Sequence, residues 1–255
     1  MSLRLSVIVL TFNQQAVTMR LLKSMESWLK SNDDVELIIV DNGSNDGTVN
    51  KIESWRREFE VQNVSTIVSS ENIGVAAGRN LGLKNAQGEV VMLLDNDTIC
   101  DGVVYDKLAG YVLETPGCGI ASPALYSPEG ELQSSAKPYP SLWLKLQHVL
   151  FPGEETVNER KELGKRHPYY VIGACQVFRR DLLNKIGYLD SGIFYGPEDC
   201  DFCIRTRRAG YSIDYLSELR LVHDWRRVTR MSPFSFLGKK HILGLLRFWL
   251  RHPIK

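Results

Sequence analysis

The chain has 255 residues, of which 44% are hydrophobic and 24% are charged. A chain of this length can bury a substantial core, and we expect one large α/β domain followed by a tail. Its 31 basic and 30 acidic residues nearly cancel, so the surface as a whole does not favour nucleic acid and no nucleic-acid partner is expected. The apolar start, residues 1–10, is too short for a signal peptide, and no later run reaches the length of a membrane span.

The five cysteines are an odd number at scattered positions, which does not indicate a disulfide framework. A reducing cytosol is therefore the expected location. Cys200 and Cys203 form one C-x-x-C motif, but it has acidic neighbours and no second pair to complete a zinc site. We expect both to be buried thiols.

Strand and helix patterns alternate through the first hundred residues. Apolar runs predict strands at 5–10, 35–40, 65–69 and 90–94. Apolar residues at helical spacing predict helices at 15–29, at 74–85 and before Phe59, the last of these with Ser44 or Asp46 as its cap. Repeated βα units predict a doubly wound, mostly parallel sheet with right-handed crossovers and flanking helices.

The fourth predicted strand runs directly into two carboxylates. Residues 90–94 are all apolar, as in a strand covered on both faces, and Asp95, Asn96 and Asp97 follow. Residues two apart in an extended chain point the same way, so Asp95 and Asp97 can face one divalent cation such as Mg²⁺ or Mn²⁺. The alternative is a solvated turn, since Asp and Asn are also turn formers.

Polar groups follow three of the predicted strands. Parallel strands end at one edge of a sheet, where α/β proteins bind ligands, so these groups predict a nucleotide pocket. They are Thr11, Asn13, Asp41, Asp95 and Asp97.

The glycine fingerprints of dinucleotide and P-loop proteins are missing, because the glycines of residues 74–78 have a different spacing. Groups other than a glycine-rich loop must then neutralise the charge of a diphosphate. A metal ion on Asp97, assisted by Arg79 from the preceding helix, would do so. The alternative for Arg79 is a surface salt bridge.

Four segments in order resemble family 2 glycosyltransferases, and the rhamnosyltransferase-like branch is nearest. They are SVIVLTFN (6–13), IVDNGSNDGT (39–48), NIGVAAGRNLG (72–82) and LDND (94–97). The resemblance covers roughly residues 3–230. It implies a GT-A fold, a nucleotide-diphosphate sugar donor, a divalent metal ion and inversion at the anomeric carbon.

A second block, at 173–180, 186–190 and 194–205, extends the resemblance and contains Glu198 and Asp199. The resemblance implies that Asp199 is the general base that deprotonates the acceptor, and that Glu198 binds an acceptor or donor hydroxyl. The sequence alone would allow these two roles to be exchanged. The alternative is structural, because acidic residues after Pro197 also favour the start of a helix running to Arg208.

The resemblance also implies roles for the residues of the predicted donor pocket. Asp97 would bind the metal ion with Asp95 and His223, and Asp95 would also contact the ribose or sugar. Asp41 would contact the nucleotide base, with Thr11 and Asn13 beside it. For His223 a packing or surface role is the alternative.

The predicted domain arrangement is a catalytic domain at 1–231, with a donor half at about 1–100 and an acceptor half at about 101–231, and a basic amphipathic helix at 232–255. On a helical wheel the tail has an apolar arc and a basic side, which suits contact with an anionic membrane through 236–251. Docking on the catalytic domain or on a homodimer partner is the alternative. Within the catalytic domain, the polar 128–170 stretch predicts a mobile loop or exposed helix. Three aromatic residues of this stretch, Trp143, Tyr169 and Tyr170, could stack on a sugar or pack on the core.

Together these features predict an inverting, metal-dependent glycosyltransferase for cell-surface polysaccharide synthesis. Its donor would be a dTDP- or UDP-linked sugar such as rhamnose, its acceptor a glycan or a lipid-linked glycan, and its location the cytoplasm, peripheral at the inner face of the membrane. A sugar nucleotidyltransferase is one alternative, but residues 11–15 lack the glycine-rich, lysine-bearing loop that it would need. A non-catalytic nucleotide-sugar or glycan-binding module is another, but it would have lost the acidic residues.

Overall fold

The computed structural model describes residues 3–99, 101–139, 166–224 and 235–253. The strands are β1 (Leu5–Thr11), β2 (Val35–Asp41), β3 (Val64–Val68), β4 (Val90–Asp95), β5 (Thr98–Ile99), β6 (Cys118–Tyr126), β7 (Ala136–Lys137), β8 (Tyr170–Val171), β9 (Cys175–Arg179) and β10 (Ser212–His223). The helices are α1 (Gln15–Lys30), α2 (Thr48–Glu58), α3 (Val75–Asn85), α4 (Gly102–Glu114), α5 (Leu182–Ile186), α6 (Glu198–Arg208) and α7 (Phe236–Arg251).

Eight of these strands form one sheet in the order β3-β2-β1-β4-β9-β6-β10-β5. The pairs among β1 to β4 and the pair of β6 with β10 are parallel, whereas β9 is antiparallel to both β4 and β6. The predicted doubly wound, mostly parallel sheet is thus confirmed. The last strand in the chain, β10, has 12 residues and ends at His223.

Helices cover both faces of the sheet. On one face, side chains of α1, α2 and α4 share a core with Val7 and Val9 of β1. On the other face, α3, α5 and α6 pack with Ile8 of the same strand, as the alternation of side chains along a strand requires. A Cβ at Gly82 would lie 2.4 Å from Ile8, so this glycine lets α3 approach the sheet closely.

Helix α2 begins after Gly47, which is its N-cap residue, so the predicted cap at Ser44 or Asp46 is wrong. Asp46 accepts a hydrogen bond from the Thr48 amide at 3.1 Å, whereas Ser44 accepts from the Asn13 amide instead. Cys200 and Cys203 are buried, as predicted.

Strand register brings the predicted polar groups to one edge of the sheet. Thr11 is paired with Asp41, and Leu10 with Asp95, so β1, β2 and β4 end at the same level. The short strand β5 then turns back and pairs with β10, which sets His223 opposite Thr98. This antiparallel pairing connects the end of β10 to the turn that carries Asp97.

The predicted C-terminal helix is present as α7, which begins after Ser235, whose hydroxyl accepts from the Gly238 amide at 3.0 Å. One side of α7 is docked on the domain: Phe248 is fully buried, and a Cβ at Gly244 would lie 2.5 Å from the Gly196 carbonyl oxygen. Docking on the catalytic domain, one of the alternatives for the tail, is therefore observed. Among the described residues no helix is both long and apolar enough to cross a membrane.

Candidate active site

Asp95, Asp97 and His223 form a cluster at the carboxyl edge of the sheet. Each offers one ligand atom, and the three atoms lie within 4.8 Å of one another. Asp95 ends β4, Asp97 lies in the turn before β5, and His223 ends β10, so three different parts of the fold supply them. The structure brings together the three residues that the sequence predicted as metal ligands.

Gln133 orients the imidazole of His223. The Gln133 Nε2 donates to the His223 carbonyl oxygen at 2.8 Å, and the Gln133 Oε1 lies 2.8 Å from His223 Nδ1. Because this Oε1 can only accept, Nδ1 carries the proton and the neutral ring has its lone pair on Nε2. That nitrogen lies 3.3 Å from Asp97 Oδ1.

These contacts fit a divalent cation. Asp97 Oδ1 is buried and accepts no hydrogen bond from the described residues, and it faces a second acceptor, the lone pair of His223 Nε2. Two acceptors repel unless a proton or a metal ion lies between them. Cations of this class bind oxygen at about 2.0–2.1 Å, so small side-chain movements bring all three atoms into range.

The charges of the cluster point in the same direction. The pKa of Asp95 is raised, because burial and the neighbouring carboxylate of Asp97 outweigh the effects of Arg79 and His223. Burial lowers the pKa of His223, but the carboxylates of Asp97 and Asp95 raise it overall. Two neighbouring carboxylates buried in this way are stabilised by positive charge, either a proton on His223 Nε2 or a bound cation.

Arg79 links this cluster to the predicted catalytic pair. It is 3% exposed, and its Nη2 donates both to Asp95 and, at 2.9 Å, to the Gly173 carbonyl oxygen. Its Nη1 lies 3.9 Å from Glu198 Oε1. The alternative of a surface salt bridge is wrong, because Arg79 is buried and joins Asp95 to the start of α6.

Glu198 and Asp199 open α6 but differ in environment. Glu198 is buried, with no hydrogen bond to its Oε2 from the described residues, and burial together with the charge of Asp199 raises its pKa to about 7 against the opposing charge of Arg79. Asp199 is half-buried and accepts from the backbone amides of Gly173, at 3.0 Å, and Cys200, at 2.7 Å. Asp199 is thus the more accessible of the two carboxylates.

The predicted donor-pocket residues of β1 and β2 have partners within the protein. Thr11 is 2% exposed and its hydroxyl lies 2.8 Å from that of Thr18. Asn13 is exposed, with φ at 50°, and its side chain accepts from the Asn45 amide at 2.8 Å. Asp41 is fully buried and accepts from the Ser44 amide at 2.9 Å.

Asp41 has one unsatisfied acceptor atom: its buried Oδ1 has no hydrogen-bond partner among the described residues. It lies at the same edge as the cluster, with β1 between its strand and β4. Thr11 and Asn13 shape the loops at this edge, whereas Asp41 retains an atom that could contact a ligand.

Two residues of the site were not predicted from the sequence, although Gly173 lies in the 173–180 block of the resemblance. Gln133 lies 90 positions from His223, and a single glutamine in a polar stretch carries no signal in a sequence. Gly173 uses only backbone atoms, one for Arg79 and one for Asp199, so its role depends on the fold. Of the flanking aromatics, Tyr169 stacks edge-on with Tyr139, and Tyr170 packs against the buried cluster of Cys200, Ile204 and Phe248. Trp143 lies within residues 140–165, which are outside the described residues.

The sequence profile of glycosyl transferase family 2 matches residues 6–187. The match covers most of the chain and includes Arg79, Asp95 and Asp97. The chain belongs to this family of glycosyltransferase enzymes, and the predicted GT-A fold is confirmed.

Among characterised relatives, the chain is 25% identical over 260 residues to the N-acetylglucosaminyl-diphospho-decaprenol L-rhamnosyltransferase of Mycobacterium tuberculosis. That alignment covers 93% of this chain and 81% of the relative. Among solved structures, it is similar to the mannosyltransferase PcManGT of Pyrobaculum calidifontis, in complex with GDP-Man and Mn²⁺, with a TM-score of 0.63 and 21% identity over 88% of this chain.

The chain is shorter than several of the proteins it matches. It spans 58% of the solved PcManGT chain. It spans 21% of the uncharacterised protein y4gI of Sinorhizobium fredii, to which it is 26% identical over 74% of its own length. These matches therefore concern the catalytic fold, and activities of the longer proteins do not transfer with it.

Proposed function

We propose that the protein is an inverting, metal-dependent glycosyltransferase that moves a sugar from a nucleotide-diphosphate donor to a hydroxyl group of a glycan or lipid-linked acceptor. The observation that carries this proposal is the position of Arg79. It contacts Asp95 of the cation cluster on one side and Glu198 of the acidic pair on the other. A donor diphosphate and a reacting sugar would need these two groups at the same cleft.

The cation, Mg²⁺ or Mn²⁺, would be held by Asp95, Asp97 and His223, where it neutralises charge on the diphosphate leaving group. Arg79 adds a fixed positive charge beside it, and Asp95 would also contact the ribose or sugar. Asp41, whose buried Oδ1 has no hydrogen-bond partner among the described residues, would contact the nucleotide base. Thr11 and Asn13 would hold the loops around that base.

Asp199 is the general base of this proposal. It takes the proton of the acceptor hydroxyl while that oxygen forms a bond to the anomeric carbon. The bond from this carbon to the diphosphate breaks on the opposite face, so the configuration inverts. Glu198, buried against Arg79, would hold a sugar hydroxyl, and because its pKa is raised to about 7 its protonated form could donate to that hydroxyl's oxygen.

The name of the mycobacterial relative supports a finer proposal, in which the sugar is rhamnose and the acceptor is a lipid-linked glycan of cell-surface polysaccharide synthesis. A dTDP- or UDP-linked donor and a cytoplasmic location at the inner face of the membrane would follow. The metal requirement is supported by PcManGT, which was solved in complex with GDP-Man and Mn²⁺. The predicted homodimer stays a prediction.

The experiment that tests the proposal is a thermal-shift screen of nucleotide sugars with and without Mn²⁺, followed by turnover assays of those that bind. A donor at a hundredfold excess over its Kd should raise Tm by about 5–10 °C for a domain of this size. The variant Asp97→Asn should lose the Mn²⁺-dependent part of this shift. If no nucleotide sugar binds, and the protein instead releases pyrophosphate from a nucleoside triphosphate and a sugar 1-phosphate, the nucleotidyltransferase alternative replaces this one.

A further inference from the structure

Helix α7 has a second, outward side that is apolar and uncovered by the described part of the chain. Five large hydrophobic side chains on this helix are exposed, and Leu250 is 84% exposed. They are Phe236, Ile242, Leu243, Leu246 and Leu250. Most follow each other at spacings of three and four residues, so they form one stripe along the helix. We call these five side chains the outer stripe.

The outer stripe is a concentration of apolar surface that no other element among the described residues shows. Those residues include six other exposed large hydrophobic side chains, which are Phe12, Val68, Val103, Leu132, Tyr169 and Tyr188. The six belong to six different parts of the fold, and single exposed apolar residues are ordinary. A contiguous stripe on one helix marks an interaction surface.

The docked side of the same helix explains why the stripe faces outward. Arg247 donates two hydrogen bonds to Asp190, at 2.8 and 3.0 Å, and Arg251 contacts the same carboxylate. At the end of the helix, His252 Nε2 lies 2.7 Å from the buried Asp201. These contacts, with buried Phe248, fix the rotation of α7 and leave the outer stripe exposed, although the ring of Phe236 also packs edge-on against Phe194.

The charge around the outer stripe indicates which kind of partner it contacts. Residues 235–253, which include α7, contain four Lys and Arg and no Asp or Glu. Asp190 balances only one of the two arginines that it contacts. Two copies meeting through this face would bring like charges together, whereas an anionic lipid surface would attract them.

The position of α7 also suits a membrane contact. Its docked side touches the segment that leads into the acidic pair: Gly244 lies against Gly196, and the His241 ring lies 3.3 Å from the Tyr195 carbonyl oxygen. A lipid surface on the other side of the helix would therefore lie one helix diameter, about 10 Å, from the start of α6. That is within reach of a sugar attached to a lipid headgroup.

We propose that the outer stripe of α7, with its flanking lysines and arginines, docks the protein on an anionic lipid surface while the opposite side of the helix holds the catalytic domain. Docking on the catalytic domain and contact with a membrane are thus compatible, because opposite sides of one helix make the two contacts. This proposal rests on the proposed function only in explaining why the protein would bind a membrane. The lipid contact itself requires neither donor nor acceptor.

Co-sedimentation with vesicles tests it. The full chain should bind phosphatidylglycerol–phosphatidylcholine vesicles, bind pure phosphatidylcholine vesicles much less, and lose binding as salt is raised. The triple variant Leu243→Gln, Leu246→Gln, Leu250→Gln should bind the anionic vesicles at least about tenfold less, because three apolar side chains no longer enter the interface. The fold should be kept, since all three side chains are exposed.

The matched control is the double variant Val68→Gln, Val103→Gln, which removes exposed apolar side chains on other elements and should bind like the unaltered chain. The proposal is overturned if the full chain binds no vesicles, if it binds neutral and anionic vesicles equally, or if the triple variant binds as well as the control. It is also overturned if sedimentation velocity shows a dimer that only the triple variant dissociates. None of these outcomes affects sugar transfer to a soluble acceptor, so a failure here is distinct from a failure of the proposed function.

Discussion

The side-chain amide of Gln133 contacts His223 twice, at its carbonyl oxygen and at Nδ1, each at 2.8 Å. The first contact orients the amide, and the second then fixes the tautomer of the imidazole. A metal ligand held this way presents Nε2 to the cation cluster without a choice of tautomer.

Replacing Gln133 by Leu should therefore weaken binding of Mn²⁺. Loss of such a supporting partner typically costs 10- to 100-fold in metal affinity, and we expect about that loss here. Calorimetry with Mn²⁺ in the presence of a nucleoside diphosphate measures it without catalysis. Leu132→Ala, at an exposed neighbouring position, is the control and should bind Mn²⁺ normally. Unchanged affinity in the Gln133 variant would mean that the amide does not position His223.

The general base can be tested by Asp199→Asn. The amide is nearly the same shape and can still accept the hydrogen bond from Gly173, so donor binding should be kept. Without a base, kcat should fall by about 10²- to 10⁴-fold with little change in the donor KM. Steady-state kinetics give both values, and Glu198→Gln is the comparison. If Glu198→Gln lowered kcat strongly while Asp199→Asn left kcat nearly unchanged, Glu198 would be the general base and Asp199 the residue that binds a hydroxyl.

Glu198 should also make stability depend on pH. Its pKa in the folded protein is about 7, above the ordinary value of 4.5, so the folded state binds a proton that the unfolded state has already released. Its contribution to stability is therefore fully present below about 4.5 and falls as pH rises toward 7. Relative to Glu198→Gln, the unaltered protein should lose up to about 3 kcal/mol of unfolding free energy across this range. Urea unfolding of both proteins between these pH values measures the difference, and parallel curves would show that folding does not raise the pKa of Glu198.

Local sequence patterns were enough for the parallel half of the fold and for the polar edge. The apolar runs before Asp41 and Asp95 predicted β2 and β4 to within one residue. The second half was less legible, because β9 is antiparallel and β10 is a long strand whose irregular pairing with β6 is interrupted between Leu216 and Arg220. Such pairings depend on distant strands rather than on local periodicity.

The site shows the same limit. The acidic residues could be predicted because carboxylate side chains are themselves the groups that bind metal ions and accept protons. Whether Arg79 was buried or on the surface depended on α3 lying close to the sheet, which the absence of a side chain at Gly82 allows. The tail allowed two interpretations for a related reason: a helical wheel gives the faces of a helix but not which face meets the domain. Contacts of Phe248 and Arg247 decide that.

Docking of α7 depends on Asp190, and Asp190→Asn should loosen it. Burial raises the pKa of Asp190, but hydrogen bonds from Arg247 and the Gly192 amide, with Arg251, lower it overall to about 2. Because the folded value lies below the ordinary 3.8, this contribution is present above that pH and is lost as pH falls toward 2. The variant should lose about 1.5–3 kcal/mol at neutral pH, the cost of a hydrogen bond to a charged group.

Thermal unfolding together with limited proteolysis of the tail measures this effect, because cleavage within α7 reports its undocking. Asp181→Asn is the matched control, since that carboxylate is 69% exposed and makes only a 3.9 Å contact with Arg179. Equal proteolysis of α7 in both variants at neutral pH would show that the pair with Arg247 does not hold the helix.

Gly173 offers a test of the link between the two halves of the site. A Cβ at this position would lie 2.6 Å from Arg79 Nη1, and Arg79 is buried with little room to move. Gly173→Ala should therefore displace the guanidinium from Asp95 and the Gly173 carbonyl and raise the donor KM by about 10- to 100-fold, as expected for loss of a charged hydrogen bond. Gly110→Ala, where a Cβ meets nothing within 4 Å, is the control and should leave kinetics unchanged. If the Gly173 variant kept the donor KM of the control, Arg79 would not be the residue that joins the cation cluster to the acidic pair in the working enzyme.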